Sequence, residues 1–202
     1  CIPPTAGESI VKRKDNKNKF TTGSVFKSKG YNVKYLYGGY SYFDNMKDFF
    51  GGNGYEIVDR DNFKPEEIVF ANIWGVSDED MARKAIETMN EDAKKGKPFF
   101  HHWMTVSNHR PFTYPEGRID IPGTVKSRDG GVKYTDYSIK KFFQMAEKQP
   151  WYKNTVFVIV SDHGASSAGK TELPMDKYRI PGMIFSPEFV KPQKFNTLMS
   201  QI

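Results

Sequence analysis

The sequence is poor in cysteine, and this scarcity limits the chemistry that is open to it. Cys1 is the single cysteine among 202 residues, which excludes an internal disulfide and a cysteine-based zinc cluster. Histidine is also scarce, with four in the chain. We find no internal repeat and no low-complexity segment, so repeat architectures are excluded. The cysteine count leaves the redox compartment open.

Long hydrophobic runs are missing as well. No apolar stretch approaches the ~20 residues that span a bilayer, and no signal-peptide pattern is visible. The chain begins at Cys1 rather than at a methionine, and its first residues, "CIPPTAGESIVKRKDN", have the composition of a loop. We therefore expect a piece of a longer protein, with its targeting segment upstream.

The composition indicates a globular chain with a basic surface. Hydrophobic residues make up 38%, aromatic residues 15% and charged residues 27%, which is unlike a disordered protein. The net charge is +6, and such a balance favours anionic partners. The lysines are spread along the chain, which is typical of a solvated exterior. No nucleic-acid-binding motif accompanies them, so we expect no nucleic-acid partner.

Predicted strands and helices alternate along the chain. The clearest helix covers 77–97, where Ser77 can cap the amino end and Gly96 ends the helix. A second, amphipathic helix is predicted over "KYTDYSIKKFFQMAEKQ". The predicted strands are "NVKYLY", "YEIVDR", "PFFHHWMTV", "NTVFVIV" and "IPGMIFSP". This alternation indicates an α/β fold with a largely parallel sheet that is covered by helices on both faces.

The segment "VFVIVSDHG" places two potential metal ligands at a strand end. Asp162 and His163 follow a run of apolar residues that predicts the most buried strand, and ligands of open α/β sheets gather at such carboxyl ends. The two side chains can converge only after the strand has ended, and Gly164 permits that turn. A carboxylate with an imidazole suits Zn²⁺ or Mn²⁺ better than Ca²⁺. The alternative is a capped turn with a surface histidine.

A second candidate for the functional site lies in the segment "FFHHWMTVSNHRPF". His101 and His102 should face opposite sides of a strand, and we expect both to be hydrogen-bonded core histidines. His109 differs because it follows Asn108 at a strand end and precedes Arg110. A histidine between an amide and a guanidinium at the carboxyl edge of a sheet suits an anionic oxygen.

Several long segments, in one order, resemble a known family. They include "PPTAGESIVKR", "YGGYSYFDNMKDFFGGNGYEIVDR", "NIWGVSDED", "TVSNHRPFTYPEGRIDIPG" and "WYKNTVFVIVSDHGASSAGKTELP". Nearly the whole chain is similar to the lipoteichoic acid synthase and phosphoglycerol transferase group of the sulfatase/alkaline phosphatase superfamily. The resemblance implies a three-layer αβα sandwich whose N-terminal part is missing. Residues 1–202 would then be a partial catalytic domain.

The resemblance also implies roles for individual residues. Asp162 and His163 would ligate one divalent metal, Mn²⁺ or Zn²⁺, with Mg²⁺ as a third candidate. His109 would bind the substrate phosphate, and Ser167 would lie near the substrate. The remaining ligands and a nucleophilic threonine would precede residue 1, so we expect this chain to be inactive on its own.

The sequence departs from the family pattern in two places. In "YGGYSYFDNM" Asn45 matches a substrate-binding motif, but Tyr37, Asp44 and Met46 replace the histidine, tryptophan and arginine that contact glycerol phosphate in Gram-positive enzymes. The loss of a bidentate arginine puts the headgroup specificity in question. Cys1 begins a C-x-P-x-R-like motif whose arginine position holds threonine, which favours an incidental cysteine over a sulfatase nucleophile.

The implied function is metal-dependent transfer of phosphoglycerol from a phosphatidylglycerol-type lipid to a glycan or lipid acceptor. It would take place outside the cytoplasmic membrane of a bacterium, with the catalytic domain on the periplasmic or extracellular side, held by upstream transmembrane helices. Two alternatives remain open: hydrolysis of a phosphate or sulfate ester, and an inactive module of the same fold that only binds ligands.

Overall fold

The computed structural model describes residues 9–164 and 179–199. They fall into two compact units, one that contains residues 9–146 and one that contains 147–164 and 179–199. Among these described residues, no helix combines the length and the apolar character needed to cross a bilayer.

The first unit is built on a parallel three-stranded sheet. In chain order its main elements are α1 (Thr22–Ser28), β1 (Asn32–Tyr37), α2 (Met46–Gly52), β2 (Glu56–Val58), β3 (Ala71–Asn72), β4 (Gly75–Val76), α3 (Asp78–Lys94), β5 (Phe99–Met104) and α4 (Arg128–Ala146). The strand order is β2-β1-β5, with Leu36 opposite both Val58 and Trp103. Strands β3 and β4 form a separate antiparallel pair.

One face of this sheet packs against α1 and α2. Tyr35 of β1 is fully buried, and its ring stacks on Phe50 of α2 with the centroids 3.7 Å apart. Phe26 of α1 stacks on Phe100 of β5 at 4.4 Å. Alternate strand residues share a face, so Val33, Tyr35 and Phe100 bury one continuous apolar layer.

The opposite face packs against α3 and α4. Trp103 of β5 lies 5.5 Å from Phe142 of α4, centroid to centroid. Lys34, which is 2% exposed, reaches Asp92 of α3 at 3.2 Å. Helices on both faces of a parallel sheet give the αβα layering that the sequence predicts.

A buried charged cluster ties α3 to this face. Asp92 accepts a hydrogen bond from His101 at 2.9 Å and one from Lys95 at 3.2 Å, in addition to the ion pair with Lys34. Burial acts to raise the pKa of Asp92, but the hydrogen bonds from His101 and Lys95 outweigh it and hold the pKa below its usual range. Burial lowers the pKa of His101, although Asp92 opposes that shift. The cluster is therefore built for an ionised carboxylate beside a neutral imidazole.

His101 and His102 face opposite sides of the sheet, as the sequence predicts. His101 is the expected hydrogen-bonded core histidine. For His102 that expectation is wrong, because the residue is exposed and its ring lies edge-on to Tyr35 and Phe50.

The N-terminus of α3 fixes the chain beyond β5. Ser77 caps the helix by accepting the N–H of Asp80, as predicted. Asp78, which is 1% exposed, accepts the N–H groups of Val106 at 2.8 Å and Ser107 at 3.1 Å. Thr135 of α4 donates its hydroxyl to the same carboxylate at 3.2 Å. Burial raises the pKa of Asp78, while these hydrogen bonds oppose the rise.

The second unit contains β6 (Phe157–Val160) and β7 (Gly182–Phe185), which pair antiparallel. Both strands are predicted by the sequence, but two of their features differ from expectation. The pairing is antiparallel, whereas the sheet of the first unit is parallel throughout. The sequence predicts β6 as the most buried strand, but among the described residues the most buried strand is β1. In β6, the side chains of Val158 and Val160 are each more than half exposed. In the described part of this unit β6 pairs with β7 and no α-helix covers it.

We expect the stability of the chain to fall as the pH drops below about 6.5, the ordinary pKa of histidine. The pKa of His101 is lower in the folded state than in the unfolded state, so the unfolded state binds more protons in this range. Urea unfolding at pH 7.5 and pH 5.5 measures the loss. The His101→Gln variant can still donate a hydrogen bond to Asp92 but has no imidazole to titrate, so it should lose less stability than the unchanged chain between these two pH values. An equal loss in the variant and the unchanged chain would contradict the attribution of the effect to His101.

We also expect Asp78→Asn to destabilise the chain by about 2 kcal/mol, because one carboxylate oxygen becomes an amide donor and the buried N–H group that it served, of Val106 or Ser107, then lacks an acceptor. The matched control is Asp129→Asn, which removes an exposed acid from the first turn of α4. Urea midpoints measure both changes. Equal small losses would show that Asp78 acts only through its charge at a helix terminus.

Candidate active site

The carboxyl ends of β1, β2 and β5 lie at one edge of the sheet, because the three strands are parallel. The turn after β1 is held to the chain after β2, since Asp59 accepts hydrogen bonds from the N–H and the hydroxyl of Ser41. The β3–β4 pair rests on the Gly38–Gly39 backbone. A Cβ on Gly75, whose φ is +141°, would lie 2.1 Å from the carbonyl oxygen of Gly38. This position requires glycine, and the close approach fixes Trp74 at the edge.

His109 lies at this edge, and its backbone and its imidazole Nδ1 both make hydrogen bonds to backbone carbonyl groups. Its N–H donates to the carbonyl of Val106 at 3.1 Å, and Val106 is itself fixed by Asp78. The imidazole Nδ1 lies 3.1 Å from the carbonyl oxygen of Arg110. A carbonyl can only accept, so Nδ1 carries the proton and Nε2 is left to face a ligand. His109 itself is exposed.

Trp74 supports the same imidazole. Its ring centroid lies 4.0 Å from that of His109, and its indole N–H donates to the carbonyl of Arg110. The Arg110 carbonyl therefore binds the indole and the imidazole together. The side chains of Asn108 and Arg110 are exposed beside His109, and their proposed contacts with substrate stay predictions.

The turn that carries Asn45 has a different set of contacts. Asn45 adopts a left-handed conformation and donates its amide to the carbonyl of Val11 at 3.3 Å. Asp44 pairs with Lys12 at 2.7 Å, and Met46 is buried in the core. Asp44 and Met46, two of the residues that depart from the family pattern, thus have structural contacts in and beside this turn. A substrate role for Asn45 stays a prediction.

An aromatic groove lies at the same edge and was missed by sequence reasoning. It has a volume of about 200 Å³ and is lined by Tyr37, Tyr40, Tyr42, Phe43, Ile73 and Trp74. The "WG" dipeptide at the tip of a short hairpin is the signal that could have drawn attention to Trp74. The contact of Gly75 with Gly38 that places it is tertiary and leaves no periodic pattern.

In the second unit, Asp162 and His163 converge just beyond β6. The Asp162 Oδ2 lies 3.4 Å from the His163 Nε2, and the two side chains are 74% and 62% exposed. The Asp162 Oδ1 accepts the N–H of His163 at 2.8 Å. His163 Nδ1 donates to the carbonyl of Gly164 at 2.9 Å, so in the neutral ring Nε2 is the nitrogen that bears a lone pair.

The spacing of Asp162 Oδ2 and His163 Nε2 fits two of the ligands of a metal site. Two ligands about 2.1 Å from a tetrahedral zinc ion lie roughly 3.4 Å from each other. A carbonyl that holds the distal N–H is the usual partner of a metal-binding histidine. Within residues 9–164 and 179–199, no cluster of three or more histidine, cysteine, aspartate or glutamate side chains is placed to complete the shell. Ser167 and Cys1 lie outside the described residues.

The structure describes His109 and the Asp162–His163 pair in separate units. Their meeting at one reaction centre stays a prediction. Within its own unit, the imidazole of His109 contacts Trp74 and the Arg110 carbonyl, and Asp162 lies beside the imidazole of His163; the roles of these residues stay predictions.

Among the solved structures that match this chain, two illustrate the shared fold. One is a protein of the alkaline phosphatase superfamily from Vibrio parahaemolyticus, with a TM-score of 0.86 and 38% identity over 95% of this chain and 47% of that chain. The other is the lipoteichoic acid synthase LtaP from Listeria monocytogenes, with a TM-score of 0.77 and 21% identity over 94% of this chain and 51% of that one.

The curated relatives are longer proteins. Lipoteichoic acid synthase from Staphylococcus saprophyticus is 26% identical over 95% of this chain, which spans 29% of that protein. Phosphoglycerol transferase I from Citrobacter koseri is 26% identical over 70% of this chain, and the match covers 20% of the relative. The sulfatase family model matches residues 6–202. The chain belongs to the sulfatase family.

Proposed function

We propose that the protein containing this chain transfers phosphoglycerol from a phosphatidylglycerol-type lipid to a glycan or lipid acceptor in a metal-dependent reaction. Relatives of this chain bear the names lipoteichoic acid synthase and phosphoglycerol transferase I. The observation that carries the proposal is the approach of Asp162 Oδ2 to His163 Nε2, at 3.4 Å, with the imidazole oriented by a backbone carbonyl.

In this proposal Asp162 and His163 hold one divalent cation, Mn²⁺ or Zn²⁺, with Mg²⁺ as a third candidate. Such an ion lowers the pKa of a coordinated alcohol and neutralises phosphoryl oxygens. Asp162 supplies the anionic ligand. His163 can bind through Nε2 because the Gly164 carbonyl keeps the proton on Nδ1.

His109 has the role of binding the substrate phosphate. When the ring is protonated, Nε2 donates to a phosphate oxygen while Nδ1 stays bound to the Arg110 carbonyl. The exposed Arg110 guanidinium and Asn108 amide supply further donors beside it. Ser167 and Asn45 are weaker candidates for substrate contact.

The nucleophilic threonine and the other metal ligands belong, in this proposal, to a segment before residue 1, as do the membrane helices. The 202 residues then form a partial domain that is inactive alone. The full protein would work on the periplasmic or extracellular side of a bacterial cytoplasmic membrane. The net charge of +6 would favour the anionic lipid surface.

We expect the full-length protein to transfer labelled glycerol phosphate from phosphatidylglycerol to an added acceptor. His109→Gln should weaken the interaction with the anionic donor and reduce kcat/KM by about 100-fold, since a charge-assisted hydrogen bond to the phosphate is lost. The acceptor-dependent product, separated by chromatography, is the measurement.

The control is His102→Gln, which changes an exposed histidine of β5 whose ring packs on Tyr35 and Phe50. Label released only as free glycerol phosphate, with or without acceptor, would identify a hydrolase instead of a transferase. The absence of any turnover in the full protein with Mn²⁺ or Zn²⁺ would favour the inactive binding module.

We also expect the 202-residue chain to bind Mn²⁺ or Zn²⁺ through the Asp162–His163 pair. Calorimetric titration should show one weak site, and either Asp162→Asn or His163→Gln should remove it, because two ligands cannot be reduced to one without losing most of the affinity. His109→Gln is the matched control and should leave the titration unchanged. A site that survives both substitutions in the pair would place the metal elsewhere.

A further inference from the structure

The edge of the first sheet that lies opposite the candidate active site carries an accumulation of lysines. Strands β1, β2 and β5 are parallel, so all three begin at this edge. Helices α1 and α3 end shortly before β1 and β5 begin, and the turns that follow the two helices therefore lie at the same edge. These turns carry "KSKG" and "KKGK". Their lysines, which we call the lysine edge, are Lys27, Lys29, Lys94, Lys95 and Lys97.

A backbone hydrogen bond joins the two turns. The N–H of Asn32 donates to the carbonyl of Pro98 at 2.8 Å, and Asn32 lies opposite Phe99 in the parallel register. Each turn contains a glycine in the left-handed region, Gly30 with φ +84° and Gly96 with φ +68°. Lysines that are far apart in the sequence are therefore held side by side. They form a row that runs from the layer of α1 across the sheet to the layer of α3.

The charges of the lysine edge are largely uncompensated. All five lysines are exposed. Lys95 pairs with Asp92 at 3.2 Å, and Lys27 donates to a backbone carbonyl. Lys29, Lys94 and Lys97 form no ion pair with any residue that the structure describes.

Few acids lie beside these lysines. Residues 27–32, 53–56 and 91–98, which form this edge, contain three acids: Glu56, Glu91 and Asp92. The charge of Asp92 is already offset within the protein by the buried Lys34, at 3.2 Å. Five lysines thus face two further acids, and the edge has an excess of positive charge that is directed toward solvent.

The other lysine-rich run of the chain, "VKRKDNKNK", has a different environment. Acids lie next to most of its cations: the pairs are Lys12 with Asp44, Arg13 and Lys19 with Asp15, and Lys17 with Asp48. The two groups of lysines look alike in the sequence. Only the fold shows that one of them is neutralised by nearby acids while the other is not.

The lysine edge suits a linear polyanion better than a bilayer. Peripheral proteins commonly bury an apolar face in the headgroup region of a bilayer, but no large apolar side chain is exposed within 27–32, 53–56 and 91–98. A row of ammonium groups instead matches a chain of repeated negative charges, because successive charges of one chain bind successive lysines. A recess of about 330 Å³ adjoins Lys27, but the carboxylate of Glu56 lines it, so the row of lysines is the better surface for an anion.

We infer that the lysine edge binds a linear polyanion. The site lies at the edge of the sheet opposite His109, so a bound chain would leave the candidate active site open. Binding at the lysine edge does not depend on the proposed function.

The test uses the 202-residue chain and polyphosphate labelled with a fluorophore at one end. Fluorescence anisotropy gives the dissociation constant at about 50 mM and about 200 mM NaCl. Combined Lys29→Gln, Lys94→Gln and Lys97→Gln should weaken binding roughly 30-fold at the lower salt concentration, about threefold for each charge removed. The loss should be smaller at the higher concentration, because salt screens exposed charges.

The matched control removes the same charge elsewhere. Lys14→Gln, Lys47→Gln and Lys140→Gln change three exposed lysines that lie before α1, in the first turn of α2 and within α4. This control should weaken binding less than threefold, because long-range attraction between exposed charges is screened. Urea midpoints should be the same for both triple variants, since all six side chains are exposed.

Four outcomes would overturn the inference. Equal weakening by the two triple variants would show that net charge alone attracts the polymer. No weakening by the lysine-edge variant would place the polymer elsewhere, for example at His109 and Arg110. Orthophosphate that competes as well as polyphosphate, at equal phosphate concentration, would indicate a site for a single ion. Vesicles of phosphatidylglycerol and phosphatidylcholine that bind through these lysines, while polyphosphate does not, would identify a membrane surface.

Discussion

The geometry of the first unit depends on one buried carboxylate. Asp78 accepts the N–H groups of Val106 and Ser107, where β5 has ended and the chain must turn toward His109. Buried backbone groups that leave a sheet lose their ladder partners and need substitutes. Asp78 supplies them, and through Thr135 it also binds α4. One side chain at the start of α3 thus joins two helices to the loop that carries the candidate phosphate ligand.

The fold was largely predictable from the pattern of apolar residues, and its departures have physical reasons. Helix α3 was predicted because Ser77, a first turn of acids and Gly96 mark both ends. Helix α4 begins at Arg128 rather than at Lys133, since Gly130 and Gly131 read as a break although both pack closely inside the first turns. The direction of β7 could not be predicted, because alternation of side chains is the same in parallel and antiparallel strands.

The candidate site was predictable where chemistry follows a strand end, as it does for His109 and for Asp162 with His163. It was not predictable where chemistry depends on distant contacts. In the sequence Asp78 is an ordinary acid at the start of a helix, and the adjacent residues of the sequence do not indicate that it is buried. Trp74 reaches His109 because Gly75 lets one backbone approach another, which is a feature of the folded chain alone. Ser167, predicted near the substrate, lies outside the described residues.

The shared Arg110 carbonyl has a spectroscopic consequence. It holds the indole of Trp74 against the imidazole of His109, and a charged imidazole in contact with an excited indole quenches its emission. Trp74 is one of three tryptophans in the chain, and its ring also borders the groove. A change in the charge of His109 would therefore change the share that Trp74 contributes to the emission of the three tryptophans, and no added label is needed to observe it.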